Sequence, residues 1–444
     1  TGSSLRIALL YPTGCLFAAR RDTGTMIKLQ SRRCIAVLTL IAAVAAGCEK
    51  SPQWDGSLEA LLENQSGRFG AAVSSPAQHR IQIVYTRIDR DADNVPSFKT
   101  FEYRVNPDEY FYPASTVKLP AALLALEKLD RLQVEGLDRD TPMITGAVGS
   151  SQTAAVNDAT APGGLPSVAH YVRKILLVSD NDAFNRLYEF LGQQPINDTM
   201  HDKGYSNTRI MHRLEIALSV EDNWHTNPLV FIEDNAMLYQ QAAMLSERSY
   251  LADAPILLGK AEVVDDERLE RPKDFAEKNA YPIREQHDVI KALMFPESVE
   301  QASRFELTPE DYRFVLENMS AYPGESGIPA YSDPDRYPQG YVKFLMYGGD
   351  ASNIPENIRI FNKVGDAYGF LTDAAYIVDF DNGVEFLLAA TVYVNANETF
   401  NDNEYEYDEI GMPFLRELGM AIYEMELERE RPNPPDLSRF RRSE

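Results

Sequence analysis

The sequence predicts an α/β fold in which an antiparallel sheet is built from both ends of the chain, flanked by helices, with an inserted all-helical domain. Two segments near the start, 80–88 and 98–105, alternate between apolar and polar residues as strands do. Three more segments near the end, 358–362, 374–380 and 384–394, are also predicted to be strands. Between the two groups, the apolar residues recur with the spacing of helices. This order is satisfied when the strands of both ends pair in one sheet.

The first elements are a short helix and a hairpin. Ser57 is placed to cap an amphipathic helix over 57–63. A turn-rich stretch, 89–97, separates the first two strands and predicts that they pair as a hairpin. A helix is predicted over 113–129, because its apolar side chains share one face, and the helical pattern continues to about residue 250.

The second half of the chain is predicted to hold a mixed segment, the last strands and a closing helix. Helices are expected at 309–319 and 411–428, and Asp381-Asn382-Gly383 is typical of the turn between the last two strands. The predicted domains are a sandwich of 57–112 and 355–430, a helical domain with an extended insertion at 113–354, and a tail at 431–444.

The N-terminal residues predict export. A charged stretch, 26–33, precedes an apolar run, 35–46, which has the length of a signal-peptide core and is too short for a comfortable membrane span. The run leads to Gly47-Cys48, and this ending resembles a bacterial lipobox, in which the cysteine is lipidated and becomes the mature N-terminus. The alternative is an ordinary secretory signal cut near Ala46.

We therefore expect residues 1–47 to comprise a signal peptide and, before Met26, possible spurious residues, and 48–56 to be a tether. The mature protein would lie on the periplasmic side of a bacterial membrane, anchored by a lipid at Cys48. All cysteines lie within the first 48 residues, so a protein lipidated at Cys48 has no thiol left for disulfides.

The composition restricts the partners of the protein. Its 43 basic and 67 acidic residues give a formal charge of −24, which argues against nucleic acid and anionic membrane surfaces as partners. We expect the acidic residues to form a solvated surface, and we expect the protein to be a monomer. The six histidines show no paired metal-ligand spacing, so no metal and no cofactor is predicted.

Three short motifs carry the predicted chemistry: Ser115-Thr116-Val117-Lys118, Ser179-Asp180-Asn181 and Lys363-Val364-Gly365. Ser115 opens a predicted helix, where free backbone N–H groups and the helix dipole favour an anion. Lys118 lies one helical turn further on, and a desolvated lysine there is able to act as the base for the serine. The alternative is a capping serine with a surface lysine.

The second and third motifs supply the remaining parts of such a site. Ser179 is suited to relay a proton to a leaving nitrogen, and Asn181 to bind substrate through its amide. Lys363, at the end of a predicted strand, would supply a positive field, and Gly365 would let the backbone approach. Asp366 would lend its backbone N–H to the oxyanion, together with that of the nucleophile. The alternatives are an ordinary cap or turn and a common strand end.

In this order the motifs resemble those of the class A serine β-lactamases and the penicillin-recognising serine hydrolases. The resemblance covers most of the mature chain and implies an α/β sandwich domain and an all-helical domain with the active site between them. It also implies that Ser115 is the acylated nucleophile, Lys118 its partner and Ser179 the proton relay. Asn181 and Lys363 would contact the substrate.

Removal of the acyl group needs a further base, and the resemblance implies a glutamate on an Ω-loop between the second and third motifs. Glu215 matches best, and Ser219 stands where the family has a water-holding asparagine. Glu221 is a less well-spaced reserve. The alternative is a surface glutamate, or one that is ion-paired with Arg213.

Val364 replaces the usual hydroxyl residue of the third motif and so removes a hydrogen bond to a substrate carboxylate. We expect a serine hydrolase of the β-lactamase type that acts on β-lactam amides. The alternatives are a DD-peptidase or esterase of the same fold, with a peptide or small-molecule amide or ester as substrate, and a degenerate member that binds a ligand without turnover. The long segment 220–360 would be a lid, an altered binding wall or surface decoration.

Overall fold

The computed structural model describes residues 57–148, 151–234 and 236–442, which all belong to one compact unit. The predicted signal peptide, the lipidation site Cys48 and the tether at 48–56 lie outside the described residues, so they stay predictions. In the described part of the chain, no helix has the length and apolar character that a membrane crossing would need.

Strands near both ends of the chain frame a mostly helical middle. The helices α1 to α11 lie, in order, at Leu58–Asn64, Ser66–Ser74, Lys118–Arg131, Val168–Val178, Asn181–Leu191, Gln193–Asp202, Val220–Trp224, Ile283–Met294, Pro309–Ser320, Phe344–Tyr347 and Met412–Glu428. The strands β1 to β13 lie at Gln82–Arg90, Pro96–Tyr103, Met143–Thr145, Leu229–Glu233, Ala236–Gln241, Leu257–Leu258, Ala261–Val264, Glu267–Leu269, Lys273–Asp274, Ile358–Ala367, Phe370–Asp379, Val384–Tyr393 and Thr399–Phe400.

The central sheet has five strands in the order β10-β11-β12-β1-β2, and all neighbours run antiparallel. Strand β1 from the start of the chain pairs with β12 from its end, with Tyr85 opposite Leu388. The predicted α/β fold class, with a sheet built from both chain ends, is therefore confirmed.

Strand β10 continues past its predicted end at Asn362 and reaches Ala367. Its partner β11 begins at Phe370, so Tyr368 and Gly369 alone make the turn, with φ values of 55° and 76°. Two-residue turns with positive φ match the twist of the strands and keep them paired to their ends. The third motif therefore lies inside a strand and not at its end.

Helices cover both faces of the sheet. On one face, α11 packs on β12 and α2, and it contributes Phe414, Leu418 and Ile422 to the core. On the other face, α8 packs on β11 and β12 and α9 packs on β10. Because α8 and α9 lie within 113–354, part of the predicted helical domain covers the sheet. The domain boundaries themselves stay a prediction.

The middle of the chain is not helical throughout, although the pattern up to residue 250 predicted helices. Strands β4 and β5 form a hairpin that pairs with β3 in a second, three-stranded sheet. The residues of β4 alternate between buried and half-buried, which is the pattern of a short strand. By contrast, α3, α4 and α5 pack on one another as helices, and the second motif lies at the junction of α4 and α5.

Candidate active site

Ser115 is half-buried and lies in a short 3-10 helix, Ala114–Val117, that precedes α3. The chain reaches it through Ala114, whose φ of 47° is a left-handed conformation that is strained for alanine. Strand β10 contacts this turn at Gly365, where a Cβ would meet the carbonyl oxygen of Pro113 and lie 3.0 Å from the Ser115 nitrogen. Only glycine lets the strand approach the predicted nucleophile this closely.

The hydroxyl group of Ser179 is the point where two lysines meet. Ser179 ends α4 with a left-handed φ of 56°, and Asp180 caps α5 by accepting a hydrogen bond from the Ala183 nitrogen at 2.8 Å. The Nζ of Lys118 donates to the Ser179 carbonyl oxygen and, at 3.2 Å, to its Oγ. The Nζ of Lys363 donates to the same Oγ at 2.8 Å. The structure therefore brings residues of all three motifs together around one hydroxyl group.

Both lysines are buried, with exposed fractions of 0% for Lys118 and 3% for Lys363. Burial lowers the pKa of Lys118 well below its usual value, and the nearby charge of Lys363 lowers it further. Burial also lowers the pKa of Lys363 to about 7, although Asp366 acts against this effect. An amine with a pKa near the pH of the reaction can accept a proton and return it. The hydrogen bonds of the two lysines to Ser179 would allow a proton to pass between these groups.

Glu215 reaches the same site from a separate loop. Its Oε2 accepts a hydrogen bond of 2.6 Å from the Nδ2 of Asn181. Burial is the largest influence on the pKa of Lys118 and lowers it. The negative charge of Glu215 is one of those that raise this pKa, so Glu215 and Lys118 lie near each other. The side chain of Glu215 is exposed, and Arg213, its alternative partner, pairs with Glu189 instead. The predicted base therefore lies at the edge of the site, within reach of water.

Residues that the sequence analysis missed hold this loop in place. Asn185 binds both backbone groups of Leu214: its Oδ1 accepts from the nitrogen at 2.8 Å, and its Nδ2 donates to the oxygen at 2.9 Å. Arg213 pairs with Glu189 at 2.7 Å, and both side chains are fully buried. Asn181, Asn185 and Glu189 are four residues apart on α5 and so share one helix face. This repeat of polar residues on a buried helix is the sequence signal that would have found them.

Ser219 and Glu221 lie at the start of α7, and both are exposed. The Oγ of Ser219 accepts a hydrogen bond from the Asp222 nitrogen at 3.0 Å, so Ser219 caps this helix. The serine that stands in place of the family's asparagine therefore has a structural role in this chain.

The two backbone N–H groups that are predicted to donate hydrogen bonds to the oxyanion lie next to Gly365. The backbone N–H groups of Ser115 and Asp366 belong to the two segments that meet at this glycine. The side chain of Asp366 is exposed, whereas Val364 is 2% exposed and belongs to the apolar cluster on the α11 face of the sheet. The valine of the third motif is thus a core residue.

A buried polar network lies behind the third motif. The Nζ of Lys343 donates to the Oδ1 of Asn362 at 2.8 Å, and the Nδ2 of Asn362 donates to Asp373 at 2.8 Å. Burial lowers the pKa of Lys343 to about 7 and raises that of Asp373 to about 6. Because Asn362 immediately precedes Lys363, this network fixes the part of β10 that presents the lysine. In the described residues, no group of three or more His, Cys, Asp or Glu side chains is placed to bind a metal ion.

A comparison with family models finds a similarity over the part of the chain that holds the first two motifs. Residues 71–253 match the model of the beta-lactamase enzyme family, and this segment contains the first two motifs and Glu215. This part of the chain is therefore similar to the beta-lactamase enzyme family, as the motifs predicted, and the similarity supports a serine β-lactamase-like hydrolase.

The chain is also similar to solved structures. It shares 13% identity with the β-lactamase from Sphaerobacter thermophilus DSM 20745, covering 84% of this chain and 99% of that chain with a TM-score of 0.45. It shares 15% identity with PBP-A, covering 83% and 97% of the two chains with a TM-score of 0.46. It shares 14% identity with the β-lactamase from Streptomyces albus G, covering 81% and 98% with a TM-score of 0.44. No curated protein sequence matches the chain.

Proposed function

We propose that the protein is a serine hydrolase that opens β-lactam amide bonds through an acyl-enzyme on Ser115. The observation that carries this proposal is the convergence of Lys118 and Lys363 on the Oγ of Ser179, at the junction that faces the start of α3. The family match over the first two motifs supports the same chemistry.

In the acylation step, the Oγ of Ser115 attacks the carbonyl carbon while its proton passes to the neutral amine of Lys118. The backbone N–H groups of Ser115 and Asp366 stabilise the oxyanion that forms. The bond between carbon and nitrogen then breaks, and the leaving nitrogen takes a proton from the Oγ of Ser179. Ser179 recovers its proton from Lys118 through their hydrogen bond, so Lys118 is neutral again and Ser115 carries the acyl ester. The remaining charge near Ser179 belongs to Lys363, which attracts a substrate carboxylate.

In the deacylation step, Glu215 takes a proton from a water molecule, whose oxygen attacks the acyl ester. The bond between the acyl carbon and the Oγ of Ser115 then breaks, and the proton that Glu215 took from water passes to this Oγ, so that the enzyme returns to its starting state. Asn181 holds the carboxylate of Glu215 for this step through its hydrogen bond of 2.6 Å. The exposure of Glu215 supports this role, since the attacking water comes from solvent.

A second candidate function is that of a DD-peptidase or esterase of the same fold, and the lack of a hydroxyl group at Val364 favours the esterase. The buried valine offers no hydroxyl group to a substrate carboxylate, so a substrate without a carboxylate at this position loses no hydrogen bond. A catalytically degenerate member that only binds a ligand is the third candidate. The two lysines of lowered pKa favour turnover over mere binding.

A chromogenic cephalosporin with intact-protein mass spectrometry tests these candidates. Turnover that disappears in Ser115→Ala, and persists in the surface control Ser97→Ala, supports the β-lactamase function. A stable adduct on Ser115 without turnover indicates the peptidase-like candidate and shows that Glu215 is not an effective deacylation base. No adduct with any β-lactam or ester would refute both enzymatic candidates.

We also propose that the protein is exported and anchored on the periplasmic side of a bacterial membrane by a lipid on Cys48. The apolar run followed by Gly47-Cys48 supports this proposal. Expression of Cys48→Ser in a bacterium should release the protein from the membrane fraction, whereas the matched control Cys34→Ser should leave it there. Continued membrane association of Cys48→Ser would contradict lipidation at this residue.

A further inference from the structure

Three tyrosines of the long segment before the third motif form a continuous row of rings. The ring centroids of Tyr331 and Tyr337 lie 5.4 Å apart at an interplanar angle of 74°, and those of Tyr337 and Tyr341 lie 5.1 Å apart at 72°. These are edge-to-face contacts, which aromatic rings prefer over a flat sandwich. The guanidinium group of Arg336 lies 5.1 Å from the ring centroid of Tyr337. We call Tyr331, Tyr337 and Tyr341 the tyrosine row.

One end of the tyrosine row lies beside the second motif. Tyr331 is 5% exposed, and burial raises its pKa. The charges of Lys174 and Asp180 also act on its hydroxyl group, and these two residues form an ion pair of 3.1 Å. The ring of Tyr331 therefore lies near Asp180, which is the neighbour of the proposed proton relay.

The other end of the tyrosine row lies beside the third motif. Burial raises the pKa of Tyr341, and Tyr337 and then Asp366 raise it further, so the phenol group lies near Asp366. The next residue, Val342, is fixed to β10, because its carbonyl oxygen accepts a hydrogen bond of 2.9 Å from the Nδ2 of Asn362. One end of the tyrosine row therefore lies near the second motif, and the other end lies near the third.

The exposure of the rings increases along the row. Tyr331 is buried, Tyr337 is half-buried, and Tyr341 is 40% exposed although the backbone next to it is fixed. An exposed aromatic ring on a fixed backbone loses little conformational entropy when a flat ligand stacks on it. The exposed guanidinium of Arg336 adds a positive charge to the same surface.

We propose that the tyrosine row is the wall of the substrate cleft that selects substrates with a flat aromatic group on the leaving-group side of the scissile amide. This inference rests on the proposed function, in which Ser179 protonates the leaving nitrogen and Lys363 attracts a carboxylate. The tyrosine row lies between the motifs to which Ser179 and Lys363 belong. A substituent on the leaving group would therefore contact the tyrosine row. Arg336 favours an anionic substituent at that position.

Two cephalosporins that share one acyl side chain, and carry either an arylvinyl group or a methyl group at the 3-position, test this inference. The readout is the second-order rate constant for acylation of Ser115, followed by intact-protein mass spectrometry, which does not depend on deacylation. We expect the rate constant of the wild type to be about 3- to 10-fold larger for the arylvinyl compound, which corresponds to the free energy of one aromatic contact. Tyr337→Ala and Tyr341→Ala should reduce this ratio towards one. Tyr341→Phe keeps the ring and should retain the ratio.

Tyr239→Ala is the matched control, because this half-buried tyrosine packs on Phe231 in the three-stranded sheet. It should retain the wild-type ratio. A ratio that is the same in the wild type, Tyr337→Ala and Tyr341→Ala would overturn the role of the tyrosine row and leave the proposed function standing. Failure of both cephalosporins to acylate Ser115 would instead overturn the proposed function, and the inference with it.

Discussion

Replacing Glu189 with glutamine tests whether its buried pair with Arg213 positions the predicted deacylation base. The substitution keeps the size of the side chain but removes its charge. Both partners are 0% exposed and lie 2.7 Å apart, so the charge of Arg213 would remain buried without a counter-charge. Removal of one partner from a buried ion pair costs about 3–5 kcal/mol. We expect the free energy of unfolding of the variant to fall by an amount in that range.

Urea unfolding, followed by circular dichroism, measures this loss. The matched control is Glu310→Gln, which removes the charge from an ion pair with Arg313 whose side chains are 64% and 66% exposed. An exposed pair of this kind contributes about 0–1 kcal/mol, so the control should unfold almost as the wild type does. A loss in Glu189→Gln no larger than that of the control would refute the argument from burial.

The same variant has a kinetic consequence. Arg213 and Leu214 lead directly to Glu215, so loosening them displaces the deacylation base while Ser115 and Lys118 stay in place. We expect the rate of deacylation to fall more than the rate of acylation, as followed by the mass of the protein over a single turnover. An equal fall in both rates would show that the pair supports the whole fold and has no special connection with the loop.

Three further predictions concern the motifs and the helix cap. Gly365→Ala places a methyl group 3.0 Å from the Ser115 nitrogen and should slow acylation by about 10²-fold, whereas the control Gly67→Ala meets no atom within 4 Å and should not. The pKa of Lys363 is about 7, so its charge is lost as the pH rises through that value, and KM for a carboxylate substrate should then increase. Lys363→Arg stays charged and should flatten this increase, and a pH-independent KM in the wild type would contradict the assignment. Ser219→Asn should leave the free energy of unfolding and the rate of deacylation almost unchanged, because asparagine also caps helices. Faster deacylation would contradict the role of Ser219 as only a cap.

The strands and the motif residues could be predicted because their signals are local. Alternation over a few residues identifies β1 and β2, and the turn at Asp381-Asn382-Gly383 fixes the hairpin of β11 with β12. Strand β4 was missed because five residues are too few for alternation to stand out within a helical context. The contacts of Asn185 and Glu189 could not be predicted from a motif, since their partners lie 29 and 24 residues away and only the folded chain brings them together.

The buried cations near the site are accommodated in two ways, by a counter-charge or by neutral oxygen atoms, and Lys343 behind the third motif belongs to the second kind. Arg213 is ion-paired with Glu189, so its charge has a counter-charge at 2.7 Å. The hydrogen bonds that Lys118 and Lys363 make go instead to neutral oxygen atoms. A buried amine beside neutral oxygens is more stable without its proton, and for this reason burial lowers the pKa of both lysines. In the proposed acylation step, the neutral form of Lys118 is the form that takes the proton of Ser115. The desolvation that makes these lysines costly to bury would therefore create the base that the proposed acylation step requires.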